Sequence, residues 1–115
     1  MADIVTFVMR EVRLGSIADI GASGITRDDG AALTGLAGTL SCYNSSGTLV
    51  FSGKTLSVST YGQGLPMADA IARVSFTSTG DVQSAGDYNM YVTVGDGSTW
   101  QRTWLQPVRV YSNTG

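Results

Sequence analysis

Apolar residues alternate with polar ones in short runs along most of this chain, and glycine, serine, asparagine and aspartate separate the runs. A period of two places successive side chains on opposite faces, which is typical of strands with one buried face. The pattern predicts about seven antiparallel strands, and their number and spacing favour an all-β sandwich. The predicted strands cover residues 17–25, 38–43, 48–51, 55–60, 70–77, 87–94 and 99–111.

The segments between these runs predict the connections. Residues 44–47 and 95–98 contain glycine, asparagine and aspartate, which tolerate positive φ, so each is predicted to be a hairpin loop. Residues 61–69 contain two glycines and a proline, show no period and are predicted to be a surface loop. In the strand predicted from residue 87, alternate apolar residues should face the core. They are Tyr88, Met90, Val92 and Val94.

The first fourteen residues are interpreted as an N-terminal arm or edge strand, and residues 15–115 as one sandwich domain. The apolar positions of the arm fit a helical stripe about as well as an irregular strand, and their β-branched content favours the extended form. Such an arm is expected to pack on its own sandwich or on a neighbouring subunit, because exposing apolar surface to water costs free energy. The apolar positions are Ile4, Val5, Phe7, Val8 and Val12.

Composition limits the class of protein. With 115 residues, 43% of them hydrophobic and 14% charged, the chain is long enough for one folded domain and unlike a disordered segment. Its net charge is -2 and its basic residues are scattered, which disfavours a nucleic-acid partner. No apolar run approaches the length of a membrane span and the N-terminus lacks a secretory pattern, so we expect a soluble chain made in the cytoplasm, with no membrane partner.

The residues that usually carry catalysis are sparse. The chain has no histidine and a single cysteine, Cys42, so it lacks the commonest general base and can form no intrachain disulfide. Its carboxylates lie in different segments, and a glycosidase-type pair would require the fold to bring two of them into one cleft. We therefore expect no catalytic residue, cofactor or metal and no enzyme activity. The carboxylates considered are Glu11, Asp69, Asp81 and Asp87.

Two short motifs are weak. Residues 53–55, Gly-Lys-Thr, are similar to the end of a phosphate-binding loop, but the preceding glycine is one residue too far away and a β-rich run follows. Residues 28–30, Asp-Asp-Gly, lack the further acidic ligands of a calcium loop. Both are predicted to be structural turns.

Residues 84–90, Ser-Ala-Gly-Asp-Tyr-Asn-Met, resemble the entry to strand F of immunoglobulin-like domains. There, a Gly-x-Tyr element places a corner tyrosine two residues before a core position. Tyr88 matches that tyrosine, and Met90 takes the position that is cysteine in antibody domains. The resemblance implies that Met90 packs opposite Leu40 or Cys42 on strand B.

Residues 28–35, Asp-Asp-Gly-Ala-Ala-Leu-Thr-Gly, followed by a β-rich run, are similar to an element of the N-terminal immunoglobulin-like domain of phage baseplate upper proteins. The order of the later elements also fits, and the resemblance covers roughly residues 17–111. It implies an immunoglobulin-like antiparallel sandwich and a non-enzymatic structural protein of a tailed-phage virion, assembled in the host cytoplasm. Its partners would be capsid, neck, tail or baseplate subunits, which it would join as decoration, cement or adaptor, or further copies of itself.

The residues expected to bind a partner are apolar residues of the arm and aromatic residues of the sandwich. The interface hypothesis names Ile4, Phe7, Val8, Tyr91, Trp100 and Trp104. The expected core contains Cys42, Val74, Phe76, Tyr88 and Met90. The alternative from another class is a carbohydrate-binding module, because aromatic rings on a sandwich stack on sugars. The rings available for that function belong to Tyr43, Tyr61, Tyr91, Trp100, Trp104 and Tyr111.

Overall fold

A computed structural model describes residues 5–26, 35–61, 67–98 and 100–112, although the side chain of Tyr61 is not part of that description. These residues form eight strands and no helix, so the predicted all-β class is confirmed, although about seven strands were expected. The strands are β1 (Val5–Thr6), β2 (Arg10–Arg13), β3 (Ser16–Ile25), β4 (Ala37–Asn44), β5 (Leu49–Tyr61), β6 (Met67–Phe76), β7 (Gly86–Gly95) and β8 (Gln101–Tyr111).

The strands form one curled mixed sheet in the order β1, β8, β7, β4, β5, β6, β3, with β2 also paired to β8. All neighbours are antiparallel except β1 and β2, which run parallel to β8. β5 belongs to both halves of the sheet, because its first part pairs with β4 and its last part with β6. Buried residues from both halves form one hydrophobic cluster, as in a β-sandwich.

The prediction of two separate strands at residues 48–51 and 55–60 is wrong, since β5 is continuous. The glycine that suggested a break, Gly53, has a φ of 69° and lies where the pairing with β4 shifts register. One extra residue with positive φ in one strand forms a bulge, which bends the strand without ending it. The prediction of a structural turn at residues 53–55 is therefore also wrong, because these residues lie inside a strand.

The predicted loop at residues 61–69 is shorter than expected, because Tyr61 ends β5 and Met67 begins β6. Residues 62–66, like the Asp-Asp-Gly turn at 28–30, lie outside the described residues. The two hairpin predictions agree with the structure. In the first, the Asn44 side-chain oxygen accepts bonds from the amides of Ser46 and Thr48. In the second, the Asp96 side chain does the same for the amides of Ser98 and Trp100.

The core lies on the inner faces of β3, β6, β7 and β8 and of the central part of β4, with Leu56 of β5 and Val12 of β2 added to it. Along β7 every second residue is buried, on the face that the sequence pattern predicts. The five residues expected in the core are all buried: Cys42, Val74, Phe76, Tyr88 and Met90. One detail of the expected packing is wrong. Leu40 and Cys42 do not face Met90 from the other sheet, because they lie on β4, which is hydrogen-bonded to β7, and Cys42 is the register partner of Met90.

The corner at the start of β7 is held by a tyrosine. The Tyr88 hydroxyl donates a hydrogen bond to the Ser84 carbonyl at 2.8 Å and lies 3.1 Å from the Ser84 hydroxyl. The ring itself is buried. This bond to backbone a few residues upstream is the contact that a corner tyrosine makes.

Candidate functional site

The N-terminal arm lies along β8 and extends the sheet by one position. The Phe7 amide donates to the Leu105 carbonyl at 2.8 Å, which continues the parallel ladder begun by β1. The next ladder bond would come from the amide of residue 107, but Pro107 has no N–H. The ladder therefore stops there and resumes only where Arg10 pairs with Val108.

Residues 7–9 form a bulge at this interruption, called here the arm bulge. The arm advances four residues from Thr6 to Arg10 while β8 advances three from Leu105 to Val108, so the arm carries one extra residue. Beside this interruption, the side-chain amide of the buried Gln106 donates to the Val8 carbonyl at 2.9 Å and to the Pro107 carbonyl at 2.8 Å. The bulge is thus fixed by a specific side chain.

The bulge turns neighbouring side chains in opposite directions. Phe7 is half-buried against the core, and Val12, further along the arm, is buried. Val8 is 89% exposed, and Val5 and Met9 are also exposed. The structure thus presents apolar side chains to solvent on a backbone that is held in place. Ile4, the first residue of the interface hypothesis, lies outside the described residues.

A second surface feature is an open groove of about 640 Å³ on the outer face of β4, β7 and β8. Residues of the turn after β4 line one end of it, and Thr93 and Thr103, whose hydroxyls lie 3.2 Å apart, also line it. We call this feature the outer groove. Its lining residues are Ser41, Tyr43, Asn44, Ser45, Gly47, Asn89, Tyr91, Thr93 and Thr103.

Two of the predicted aromatic residues meet in the outer groove. The rings of Tyr43 and Tyr91 have centroids 5.8 Å apart and planes at 80°, an edge-to-face contact. Their polar neighbours Ser41 and Asn89 were not predicted as site residues from the sequence. The signal was present in the alternation, because residues between buried positions of β4 and β7 must share the outer face.

The other aromatic residues do not join this pair. Trp104 is only 8% exposed and belongs to the core, with the Arg102 guanidinium 5.9 Å from its ring centre, so its placement as an exposed interface residue is corrected. Trp100 is half-buried and packs against the core. Tyr111 is exposed beside the arm, where its hydroxyl donates to Glu11 at 2.8 Å. No strip of coplanar exposed rings is formed by the described residues.

The carboxylates considered as catalytic candidates all have partners within the fold, and they lie on separate elements. Asp69 accepts a hydrogen bond from the Gly24 amide, and Glu11 accepts one from the Tyr111 hydroxyl. Asp87 pairs with Arg109 at 2.8 Å, and this hydrogen bond holds the pKa of the Asp87 carboxyl below its usual value. The outer groove contains none of these groups.

Asp81 contacts residues of two neighbouring strands, Lys54 on β5 and Ser75 on β6. Burial raises the pKa of Asp81. The hydrogen bond from the Ser75 amide at 3.0 Å and the Lys54 ammonium at 3.3 Å lower it by more than burial raises it, so the pKa of Asp81 lies below its usual value. These contacts tie the loop after β6 to β5 and β6. They account for the position of Asp81 without a ligand.

The described part of the chain contains no group of three or more acidic, histidine or cysteine side chains able to hold a metal ion. Nor does any helix there have the length and apolar character needed to cross a membrane. Cys42 is a buried free thiol, and burial raises its pKa to about 12. Compared with known proteins, the chain matches no protein-family model and no curated protein at a significant level.

Proposed function

We propose that this chain is a non-enzymatic structural protein of a tailed-phage virion, with an immunoglobulin-like sandwich that binds neighbouring subunits through its N-terminal arm. The observation that carries the proposal is the arm bulge. It exposes Val8 almost completely while Gln106 fixes the backbone beneath it. An exposed apolar side chain on a fixed backbone loses little conformational entropy on binding, which favours a docking role.

The order of the strands supports the immunoglobulin-like part of the proposal. β3, β6 and the end of β5 follow the order B, E, D of one immunoglobulin sheet, and the start of β5 with β4, β7 and β8 follows C′, C, F, G of the other. Tyr88 then stands near the start of strand F, with its hydroxyl bonded upstream to Ser84. Immunoglobulin-like domains have many functions, so the fold does not select the partner.

The arm supports the assembly part of the proposal. β1 and β2 are short strands at the margin of the sheet, and a margin can accept a strand or an apolar side chain from another chain. Val5 and Met9 flank Val8 with further exposed apolar surface. Burying such surface at a subunit interface is favourable by roughly 25 cal/mol per Å².

The experiment is co-sedimentation of the purified chain with phage particles that the encoding genome produces when this gene is deleted. Val8→Asp is the test variant, because the side chain is exposed and the substitution should leave the fold intact. Ile17→Asp is the matched control, since Ile17 is an exposed β-branched residue on β3. Circular dichroism and the denaturation midpoint establish that both variants are folded.

The proposal expects the original chain and Ile17→Asp to sediment with the particles and Val8→Asp to bind at least about tenfold more weakly, as for a central interface residue. Undiminished binding of Val8→Asp would exclude the arm as the docking element. Particles that bind none of the three proteins would overturn the virion assignment.

A further inference from the structure

The outer groove has the form of a small ligand site built on three neighbouring strands. Ser41 is the register partner of Tyr91, and both side chains line the groove, where Tyr91 is half-buried. Tyr43 meets the same ring edge-on, and its own partner across the strands is Asn89. The pairing of β4 with β7 therefore fixes the two aromatic rings beside hydroxyl and amide groups, and no loop is needed to position them.

Three polar side chains of the outer groove are available for a ligand. Within the described part of the chain, the side chains of Ser41, Asn89 and Tyr91 make no hydrogen bond, although each lies at a half-buried position. Together they offer two hydroxyls and one amide, which both donate and accept. Convergent polar groups beside an aromatic surface in a concavity are typical of small-molecule sites.

The charge of the outer groove restricts the class of ligand. All nine lining residues are uncharged, so a phosphate, a carboxylate or a cation would lose its hydration without gaining a counter-charge. A neutral polyol carries no charge and therefore needs no counter-charge in the groove. Its hydroxyls exchange hydrogen bonds with side chains that both donate and accept, and the C–H face of a pyranose ring packs on an aromatic ring.

From these contacts we infer that the outer groove binds a neutral saccharide, with one pyranose ring stacked on Tyr91 and its hydroxyls bonded to Asn89 and Ser41. The edge-to-face angle of 80° means that Tyr43 does not continue the stacking surface and borders the ring instead. From Asn89 to Thr93 the floor of the groove extends about 13 Å at the usual rise per residue of a strand, which exceeds one pyranose ring. The ligand is accordingly an oligosaccharide.

The test is calorimetric titration of the full chain with four neutral oligosaccharides: maltohexaose, cellohexaose, mannohexaose and the hexamer of N-acetylglucosamine. Dextran sulfate serves as the anionic comparison. Tyr91→Ala removes the stacking ring, and Asn89→Ala removes the amide without touching the ring. The matched control is Tyr111→Ala, which removes an exposed tyrosine of β8 that lies outside the groove.

The inference expects saturable binding of at least one neutral oligosaccharide, unchanged in Tyr111→Ala. Tyr91→Ala and Asn89→Ala should each weaken that binding by at least about tenfold, which corresponds to about 1.4 kcal/mol. If Tyr91→Ala fails to fold, the result for Asn89→Ala decides. The inference is overturned if none of the four sugars binds at millimolar concentration, if dextran sulfate binds more tightly than all of them, or if both groove variants bind like the original chain.

Discussion

The side-chain amide of Gln106 donates a hydrogen bond to the Val8 carbonyl at 2.9 Å, and this contact joins residues at opposite ends of the chain. It stands at the one position of β8 where the following residue, Pro107, cannot extend the parallel ladder to the arm. The Gln106 side chain thus adds a hydrogen bond to the arm beside the point where the backbone ladder is interrupted. Its two hydrogen bonds satisfy the amide of a glutamine that is buried among apolar residues.

Replacing Gln106 by alanine should therefore loosen the arm more than the sandwich. We expect a loss of about 1–2 kcal/mol in the free energy of unfolding, since two hydrogen bonds disappear. Gln101→Ala, at an exposed position of the same strand, is the control and should be close to neutral. Urea denaturation gives the free energies, and hydrogen exchange at the Phe7 amide reports on the arm. Equal exchange rates in both variants would contradict this role of Gln106.

The hydroxyl of Tyr88 should contribute about 1 kcal/mol to stability, the usual net value of one hydrogen bond. Tyr88→Phe keeps the buried ring and removes only the bond to the Ser84 carbonyl. Tyr91→Phe is a matched control for stability, because its hydroxyl makes no hydrogen bond in the described part of the chain. Thermal denaturation of the two variants should show a lower midpoint for Tyr88→Phe alone. Identical midpoints would mean that the corner bond adds nothing.

Cys42 should be protonated and unreactive in the native protein. Burial raises its pKa from 9.0 to about 12, so at pH 8 a thiol reagent should label the native chain at least about a hundredfold more slowly than the unfolded chain. The pKa of Cys42 is higher in the folded chain than in the unfolded chain. The contribution of the protonated thiol to the free energy of unfolding is therefore full below about pH 9 and is lost as the pH rises toward 12. Cys42→Ser should cost about 1–3 kcal/mol by burying a hydroxyl. Rapid labelling of the native chain would place Cys42 at the surface.

Much of the sheet could be predicted from the sequence, because alternation with a period of two reports directly which residues face a core. β7 and β4 agree with their predicted spans to within one residue at each end. β5 could not be predicted as one strand, because a glycine such as Gly53, with positive φ, is as typical of a turn between two strands as of a bulge inside one strand. Strand neighbours are set by long-range pairing, which is why Cys42 was placed in the wrong sheet relative to Met90.

The two surfaces were only partly accessible to sequence reasoning. Exposed positions of the arm could be proposed from its apolar residues, but Gln106 and Pro107 reveal their role only when β8 is seen beside the arm. Trp104 was expected at the surface as one of the aromatic residues that could contact a partner or a sugar, and its burial follows from its alternating position on β8. The outer groove depends on which residues face each other across β4 and β7, which no local pattern encodes.

The final prediction uses two adjacent residues of the arm bulge whose side chains point in opposite directions. Phe7 packs against the core, so Phe7→Ala should lower the free energy of unfolding by about 2 kcal/mol, less than for a fully buried phenylalanine because the ring is only half-buried. Val8 is 89% exposed, so Val8→Ala should change stability by less than about 0.5 kcal/mol. Chemical denaturation measures both, and hydrogen exchange in β1 and β2 shows whether the arm has detached. If the two substitutions cost the same, the arm is not seated on the sandwich in solution, and its apolar residues are free to bind elsewhere.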